Sequence, residues 1–252
     1  MADTIKIFET VDELALYFAS FLEISIRETP DDTTFSWVLS GGNTPKLIFR
    51  AVALNCRESI DWNKVKVFWG DERCVDPQDE ESNFRMAREN LLELLPIPAV
   101  NIYRIYGENE PAEEAIRYSE LFASHVNSCL GIPNADLVML GLGEDGHTAS
   151  VFPGCPDLFN SNKLFEAAEH PDTKQKRITA CGKVINHAKT VIILASGENK
   201  AGMVTRIIDE QPGFDQLPAA WVRPEKGVKI WLLDRKSAFN LKSNTKNEKQ
   251  TD

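Results

Sequence analysis

DLVMLGLGEDGH, residues 136–147, decides the fold: four apolar side chains, Leu137 to Leu140, run straight into glycines at 141, 143 and 146. A run this short suits a strand better than a helix. Successive strand residues point to opposite faces, so a run apolar at every position must be covered on both sides. Parallel sheets are built that way. VIIL at 191–194 repeats the pattern. Working outward, Phe35 to Leu39 and Val65 to Trp69 read as short β-rich runs, Lys229 to Leu233 as a last strand, and Ile5 to Phe8 as an edge strand.

Helical patterns fall between these runs. Val11 to Arg27 places apolar residues at 11, 14, 15, 18, 21, 22 and 25, one stripe of a helix. A helix is expected after the Phe35–Leu39 run, with Pro45 in its first turn. Ser82 to Leu95 reads as a helix stopped at Pro96, and Pro111 to Leu130 as a helix stopped by Gly131. Glu198 to about Glu210 is the last. Strands alternating with helices predict an α/β fold, a mostly parallel sheet covered by helices. No Pro-, Gly- or Ser-rich linker divides the chain, so one domain over residues 1–235 is expected, with 236–252 a polar tail that frays.

The 252 residues are 42% hydrophobic and carry a net charge of −10. An acidic chain has no general attraction for nucleic acid or anionic membranes, so neither is expected as a partner. An anionic substrate would need a local basic pocket. No stretch of about 18 apolar residues predicts a membrane span, and MADTIKIFETVDE at the N-terminus lacks signal-peptide character. The five cysteines are scattered and form no CxxC or zinc-ligand spacing, which fits reduced thiols in the cytoplasm. No coiled coil demands assembly, so a monomer is expected.

Ligands of open α/β sheets bind beyond the carboxyl ends of the strands, and four segments stand where that rule looks. Ser40-Gly41-Gly42-Asn43-Thr44 joins a strand to a helix, so its backbone and the helix start suit a phosphate; a plain tight turn is the alternative. Asp71 and Arg73 follow VKVFWG and read as a polar pocket or as a solvated loop, with Arg73 a forked donor for a phosphate or an oxyanion. GLGEDGH satisfies the GxGxxG pattern, but Glu144 and Asp145 would repel a dinucleotide pyrophosphate. His147, two residues past Asp145 at a glycine-rich strand end, is placed for proton transfer, although a lone histidine is more often structural. Arg177 in RITA and Lys200 in SGENKA are separately ordinary surface cations. Together with the SGG turn they would cradle a phosphate.

With these segments in hand, the chain resembles the 6-phosphogluconolactonase family, relatives of glucosamine-6-phosphate isomerases. The matching stretches are LSGGNTP (39–45), FWGDERCV (68–75), ESNFRMAREN (81–90), DLVMLGLGEDGHTASVFPG (136–154), RIT (177–179) and INHAKTVIILASGENKAG (185–202), with LPAAWV (217–222) weaker. One departure is ACGKVIN after RIT, where the family continues with an apolar run ending near a proline. The resemblance implies a single Rossmann-like domain without metal or organic cofactor. It implies hydrolysis of 6-phosphoglucono-δ-lactone, the second step of the oxidative pentose phosphate pathway. By motif, His147 would be the base with Asp145 beside it, Arg73 would meet the substrate, and the SGG turn, Arg177 and Lys200 would hold its phosphate. Backbone N–H groups of the Gly143–Gly146 turn, or Arg73, would meet the oxyanion. The rival on the same fold is an amino-sugar-phosphate isomerase or deaminase, whose histidine is followed by a run containing a glutamate; Thr148 to Pro153 holds no carboxylate. A non-catalytic sugar-phosphate sensor usually carries a DNA-binding segment, and no basic helix–turn–helix stretch is legible.

Overall fold

Every apolar run singled out above forms a strand in the computed structural model, which describes residues 3–242. The strands β1 (Thr4–Phe8), β2 (Phe35–Leu39), β3 (Val65–Trp69), β7 (Leu137–Gly141), β10 (Thr190–Ala195) and β11 (Val228–Asp234) make one six-stranded parallel sheet, in the order β1-β11-β10-β7-β2-β3. The helices α1 (Val11–Arg27) and α2 (Asn43–Asn55) pack on each other. They make the two crossovers that step along the sheet toward β3, so right-handed connections put both on one face. The later crossovers step back the other way and place α4 (Pro111–His125) and α7 (Ala201–Ile208) on the opposite face. Leu137, Val138 and Met139 are fully buried between these layers. Each contributes about 1.5–3 kcal/mol by leaving water.

The strand order reverses between β2 and β7: the chain leaves β2 for β3 on one side and leaves β7 for β10 on the other. A crevice is expected at such a point. Here the pairing also stops early. β2 and β7 are in register only at Trp37–Leu137 and Val38–Val138, whereas β7 pairs with β10 as far as Gly141–Leu194. At the other end Asp136 clamps the two strands, its Oδ2 accepting from Ser36 N (2.8 Å) and Ser36 Oγ (2.6 Å). The strands are tied at their amino ends and splay at their carboxyl ends.

A second, antiparallel sheet stands over that opening. It comprises β4 (Asp71–Arg73), β8 (Phe165–Glu169) and β9 (Lys176–Ala180), in the order β4-β9-β8. Asp71 to Arg73, read as a polar pocket or a solvated loop, is a strand rather than a loop. Gly70 makes the transfer between sheets: its N–H donates to Leu39 O (2.8 Å) and its carbonyl accepts from Ala180 N (2.7 Å). The open edge of β3 is covered, because Tyr103 N donates to Val67 O (2.9 Å) and the Tyr118 hydroxyl accepts from Trp69 N (2.9 Å).

Several helix boundaries differ from the sequence reading. The helix from Pro111 ends at His125, not Leu130, and Gly131 is not its stop. Leu130 (φ 54°) and Gly131 (φ 80°) form the tip of a hairpin between β5 (Ser128–Cys129) and β6 (Ile132–Pro133). Two left-handed residues in a row match the twist of a tight hairpin. The helix expected over 82–95 is α3 (Asn83–Asn90), followed by a 3-10 turn at Leu92–Leu94. The Asn90 side chain, which donates to Met86 O (2.7 Å) and accepts from Arg50 Nε (2.7 Å), competes with the backbone at the break. The helix after β10 starts with a 3-10 turn, Glu198–Lys200, before α7. The frayed tail does not begin at 236. Ser237 is fully buried and its Oγ donates to Ala195 O (2.8 Å). The rest of that expectation, 243–252, lies outside the described residues.

Candidate active site

The splayed ends of β2 and β7 open into a cavity of about 650 Å³. Ser40, Gly41, Gly42, Asn43, Thr44, Asp71, Arg73, Gly143, Asp145, His147, Arg177 and Lys200 all line it. The residues singled out from five separate stretches of the chain thus meet in one place.

The SGG turn is shaped by its glycines. Gly42 has φ 103°, a left-handed value that only glycine adopts freely, and it starts α2 without any side-chain cap. The first N–H groups of α2 and the positive end of its dipole are left facing the cavity. Gly41 lies against Asn83: a β-carbon there would fall 1.9 Å from Asn83 Oδ1. The Thr44 and Ser196 hydroxyls, 2.7 Å apart, join this turn to the segment after β10 that carries Lys200.

The GLGEDGH loop folds on itself. Gly143 N donates to His147 O (2.8 Å) and Gly146 N to Gly143 O (3.1 Å). Both terminal N–H groups of the turn expected to meet an oxyanion are thus already bonded within it. Gly146 (φ 89°) packs on Leu217 and Met203, and its carbonyl accepts from Ala219 N (3.1 Å). The LPAAWV stretch therefore serves as the floor of this loop.

Within the loop, Asp145 Oδ1 lies 2.6 Å from His147 Nδ1. A carboxylate only accepts, so Nδ1 carries a proton, and whenever the ring is neutral Nε2 is the nitrogen that keeps a lone pair. Burial pushes the Asp145 carboxyl up, but the hydrogen bond and charge of His147 outweigh it and hold the group at about 2. The His147 ring packs on Phe152 with centroids 4.9 Å apart. Glu144 accepts from Asn199 Nδ2 (2.6 Å) and lies 4.0 Å from Lys200 Nζ, bridging this loop to the next.

Arg73 and Arg177 are direct cross-strand neighbours on β4 and β9. The Nε atoms of both are buried and, among the described residues, have no hydrogen-bond partner. Burial, and then the charge of Arg73, lower the Arg177 pKa. Like charges placed opposite each other on a sheet are unfavourable, so the pair suits an anion between or above the two guanidinium groups. Arg73 Nη1 is anchored on Glu81 O. The Asp71 carboxylate is buried and accepts from Ser150 Oγ (2.7 Å), while its backbone carbonyl accepts from Asn83 Nδ2 (2.9 Å). Its neighbour Glu72 turns away and caps α3, accepting from Asn83 N and Phe84 N (2.7 Å each). Burial raises the Glu72 carboxyl to about 7 against the pull of those donors.

The sequence reading missed Asn83, Glu144, Ala149, His170, Asp172, Ser196 and Asn199, which also line the cavity. Asn83 and Asn199 sit inside quoted motifs, and a polar residue at a helix start was their signal. His170 and Asp172 lie in the β8–β9 turn, which left no periodic trace. Ala149 has φ 49°, a strained value for alanine that nothing in its neighbours announces. Among the described residues, no group of three or more His, Cys, Asp or Glu side chains is arranged to hold a metal ion. No helix among them is long and apolar enough to cross a membrane.

Comparison with known proteins gives a consistent picture. Residues 9–231 match the family described as glucosamine-6-phosphate isomerases/6-phosphogluconolactonase. The 6-phosphogluconolactonase of Treponema pallidum is 35% identical over 229 residues, covering 90% of this chain and 93% of the relative. That of Haemophilus influenzae is 40% identical over 200 residues, covering 78% and 83%. The solved structure of the Trypanosoma brucei 6-phosphogluconolactonase superposes with a TM-score of 0.83 at 28% identity, covering 96% of this chain and 99% of that one.

Proposed function

The chain belongs to the family of glucosamine-6-phosphate isomerases and 6-phosphogluconolactonases, and we propose that it hydrolyses 6-phospho-D-glucono-1,5-lactone to 6-phospho-D-gluconate, the second step of the oxidative pentose phosphate pathway. The observation that carries this reading is the Asp145–His147 pair, with a basic Nε2, in the same cavity as Arg73, Arg177, Lys200 and the open start of α2.

A δ-lactone is an activated ester, so its hydrolysis needs a positioned water, a base and a partner for the oxyanion rather than a protein nucleophile. The neutral His147 Nε2 takes a proton from water as the water oxygen bonds to the lactone carbonyl carbon. Asp145 fixes the ring and stabilises the imidazolium that forms. Base assistance of this kind contributes about 10²–10⁴-fold. The carbonyl oxygen becomes an oxyanion, met by Arg73. As it collapses, the bond from carbon to ring oxygen breaks, and the imidazolium returns its proton to that oxygen. Arg177, Lys200 and the SGG turn hold the phosphate, whose binding orients the ring for attack.

Asp71 is held by Ser150 and Asn83 and shapes the wall of the cavity. Thr148 to Pro153 carries no glutamate to assist sugar-ring opening, which weighs against the deaminase chemistry of the family's other branch. Five free cysteines support a reducing, cytoplasmic setting.

The test is one assay of lactone disappearance, with and without the 6-phosphate, in the presence of a chelator. The phosphorylated lactone is consumed under chelation, and the unphosphorylated one far more slowly. Equal rates on both would remove the phosphate cradle, and release of ammonia from glucosamine 6-phosphate would move the chain to the deaminase branch.

A further inference from the structure

The turn between β8 and β9 brings a second imidazole to the cavity. His170 lines the cavity just past the end of β8. Its Nδ1 lies 3.2 Å from Asp172 N and 3.3 Å from Thr173 N, both backbone donors. A ring nitrogen that accepts from N–H groups carries no proton, so the proton of the neutral ring sits on Nε2. Nδ1 is the ring nitrogen engaged in the fold, among the described residues, and Nε2–H is left as a donor.

Its placement is specific. Side chains alternate along a strand, and Ala168 stands directly opposite Arg177, which stands opposite Arg73. His170, two residues beyond Ala168, continues that face. Its ring packs edge-on against Phe152 with centroids 4.9 Å apart. Phe152 is 2% exposed and also packs on the His147 ring at 4.9 Å. One buried phenyl ring therefore sets the spacing of two imidazoles of opposite polarity: His147 presents a lone pair at Nε2, and His170 presents a proton at Nε2.

We propose that His170 is a substrate-positioning residue, whose Nε2–H donates a hydrogen bond to a phosphate or hydroxyl oxygen of the sugar phosphate away from the reacting carbonyl. The proposal rests on the lactonase reading above. His147 must face the carbonyl carbon, and a phenyl ring separates it from His170, so His170 meets a part of the substrate that does not react. Loss of such a contact raises KM and spares kcat.

His170→Asn separates this role from a purely structural one. An asparagine side-chain oxygen accepts the N–H groups two and three residues on, as an Asx turn, and so replaces Nδ1 in shaping the hairpin. It cannot place a donor where Nε2–H stands. With 6-phosphoglucono-δ-lactone, the variant should keep its thermal midpoint and its kcat within about twofold, while KM rises about three- to tenfold, the worth of one neutral hydrogen bond. An unchanged KM, or a loss confined to kcat, overturns the proposal. A native chain that consumes no lactone refutes the enzymatic reading instead. Nitrogen-15 NMR of the unmodified protein gives a second measure. The His170 ring should be protonated at Nε2 before ligand is added, and its Nε2–H resonance should move on titration with 6-phosphogluconate. A ring protonated only at Nδ1, or one unmoved at saturating product, overturns the proposal.

Discussion

Gly143→Ala tests the Asp145–His147 pair without touching either residue. A β-carbon on Gly143 would stand 2.1 Å from His147 Nδ1 and 2.5 Å from Asp145 Oδ1. Non-bonded carbon contacts settle at about 3.5 Å or more, so the imidazole must retreat by about an ångström and the 2.6 Å hydrogen bond must open. Misplacement of a reacting group by about 1 Å costs on the order of 10²-fold, and the whole contribution of a general base is about 10²–10⁴-fold. The expected kcat is therefore about 10²-fold below native, with KM changed a few-fold at most because the cations are untouched. Gly143 is not in a left-handed conformation, so alanine adds no left-handed backbone strain, and the cost of the contact is read in the thermal melt. Gly131→Ala is the control: φ is 80° and nothing lies within 4 Å, so it costs about 1–2 kcal/mol of stability through strain and leaves kcat alone. Initial rates on the phospholactone and thermal melts of both variants settle the matter. A folded Gly143→Ala protein with kcat within threefold of native would show that the pair does not carry the chemistry.

Three further outcomes follow from the structure. Burial raises the thiols of Cys56 and Cys181 to about 11 and 12, and that of half-buried Cys74 to about 11, whereas Cys129 and Cys155 are exposed. A thiol reagent at pH 8 should label Cys129 and Cys155 first, read by mass spectrometry; prompt labelling of Cys181 in the native protein would contradict that. Asp136→Ala should lower stability by about 2–3 kcal/mol in urea titrations, because the buried Ser36 N–H loses its acceptor. Glu72 binds its proton more tightly folded (about 7) than free (4.5), so its contribution is full below pH 4.5 and lost as pH rises through 7. Native minus Glu72→Gln stability should thus grow by up to about 3 kcal/mol from pH 8 to pH 4.5, and a flat difference would refute the raised value.

The central strands were legible because each is buried on both faces, and continuous apolar runs such as Leu137–Leu140 survive any detail of packing. The small sheet was not. β4 is three residues of DER, and β8 reads FEAAE, so neither carries a strand-like pattern. Their pairing is set by Gly70, by β9 between them and by α4 behind, all tertiary facts. The helix after Pro111 looked five residues too long, because Val126 to Leu130 continues an apolar rhythm that the tight turn at Leu130–Gly131 overrides. Among the residues that line the cavity, those carried by a motif at a strand end were legible: Ser40, Asp145, His147 and Lys200. Those carried by a turn of the second sheet, His170 and Asp172, were not, since their position depends on which strands meet over the crevice.

How a chain of net charge −10 would grip the phosphate of the proposed substrate is then a question of which charges are already satisfied. The cavity wall holds as many carboxylates as cations and more: Asp71, Glu144, Asp145 and Asp172 against Arg73, Arg177 and Lys200. Counting charges would make it repel an anion. Yet Asp71 is turned to Ser150, Asp145 to His147 and Glu144 to Asn199, each at 2.7 Å or less. Among the described residues, the buried Nε–H groups of Arg73 and Arg177 have no partner, and α2 begins without a side-chain cap. Beyond about 8 Å at physiological salt the surface charge is screened, while contacts inside the cavity are not. An arriving phosphate would therefore meet unsatisfied donors, with three of the four carboxylates already engaged and only Asp172 left over. The acidity of the whole chain and the anion binding proposed for the cavity are compatible because they act at different distances.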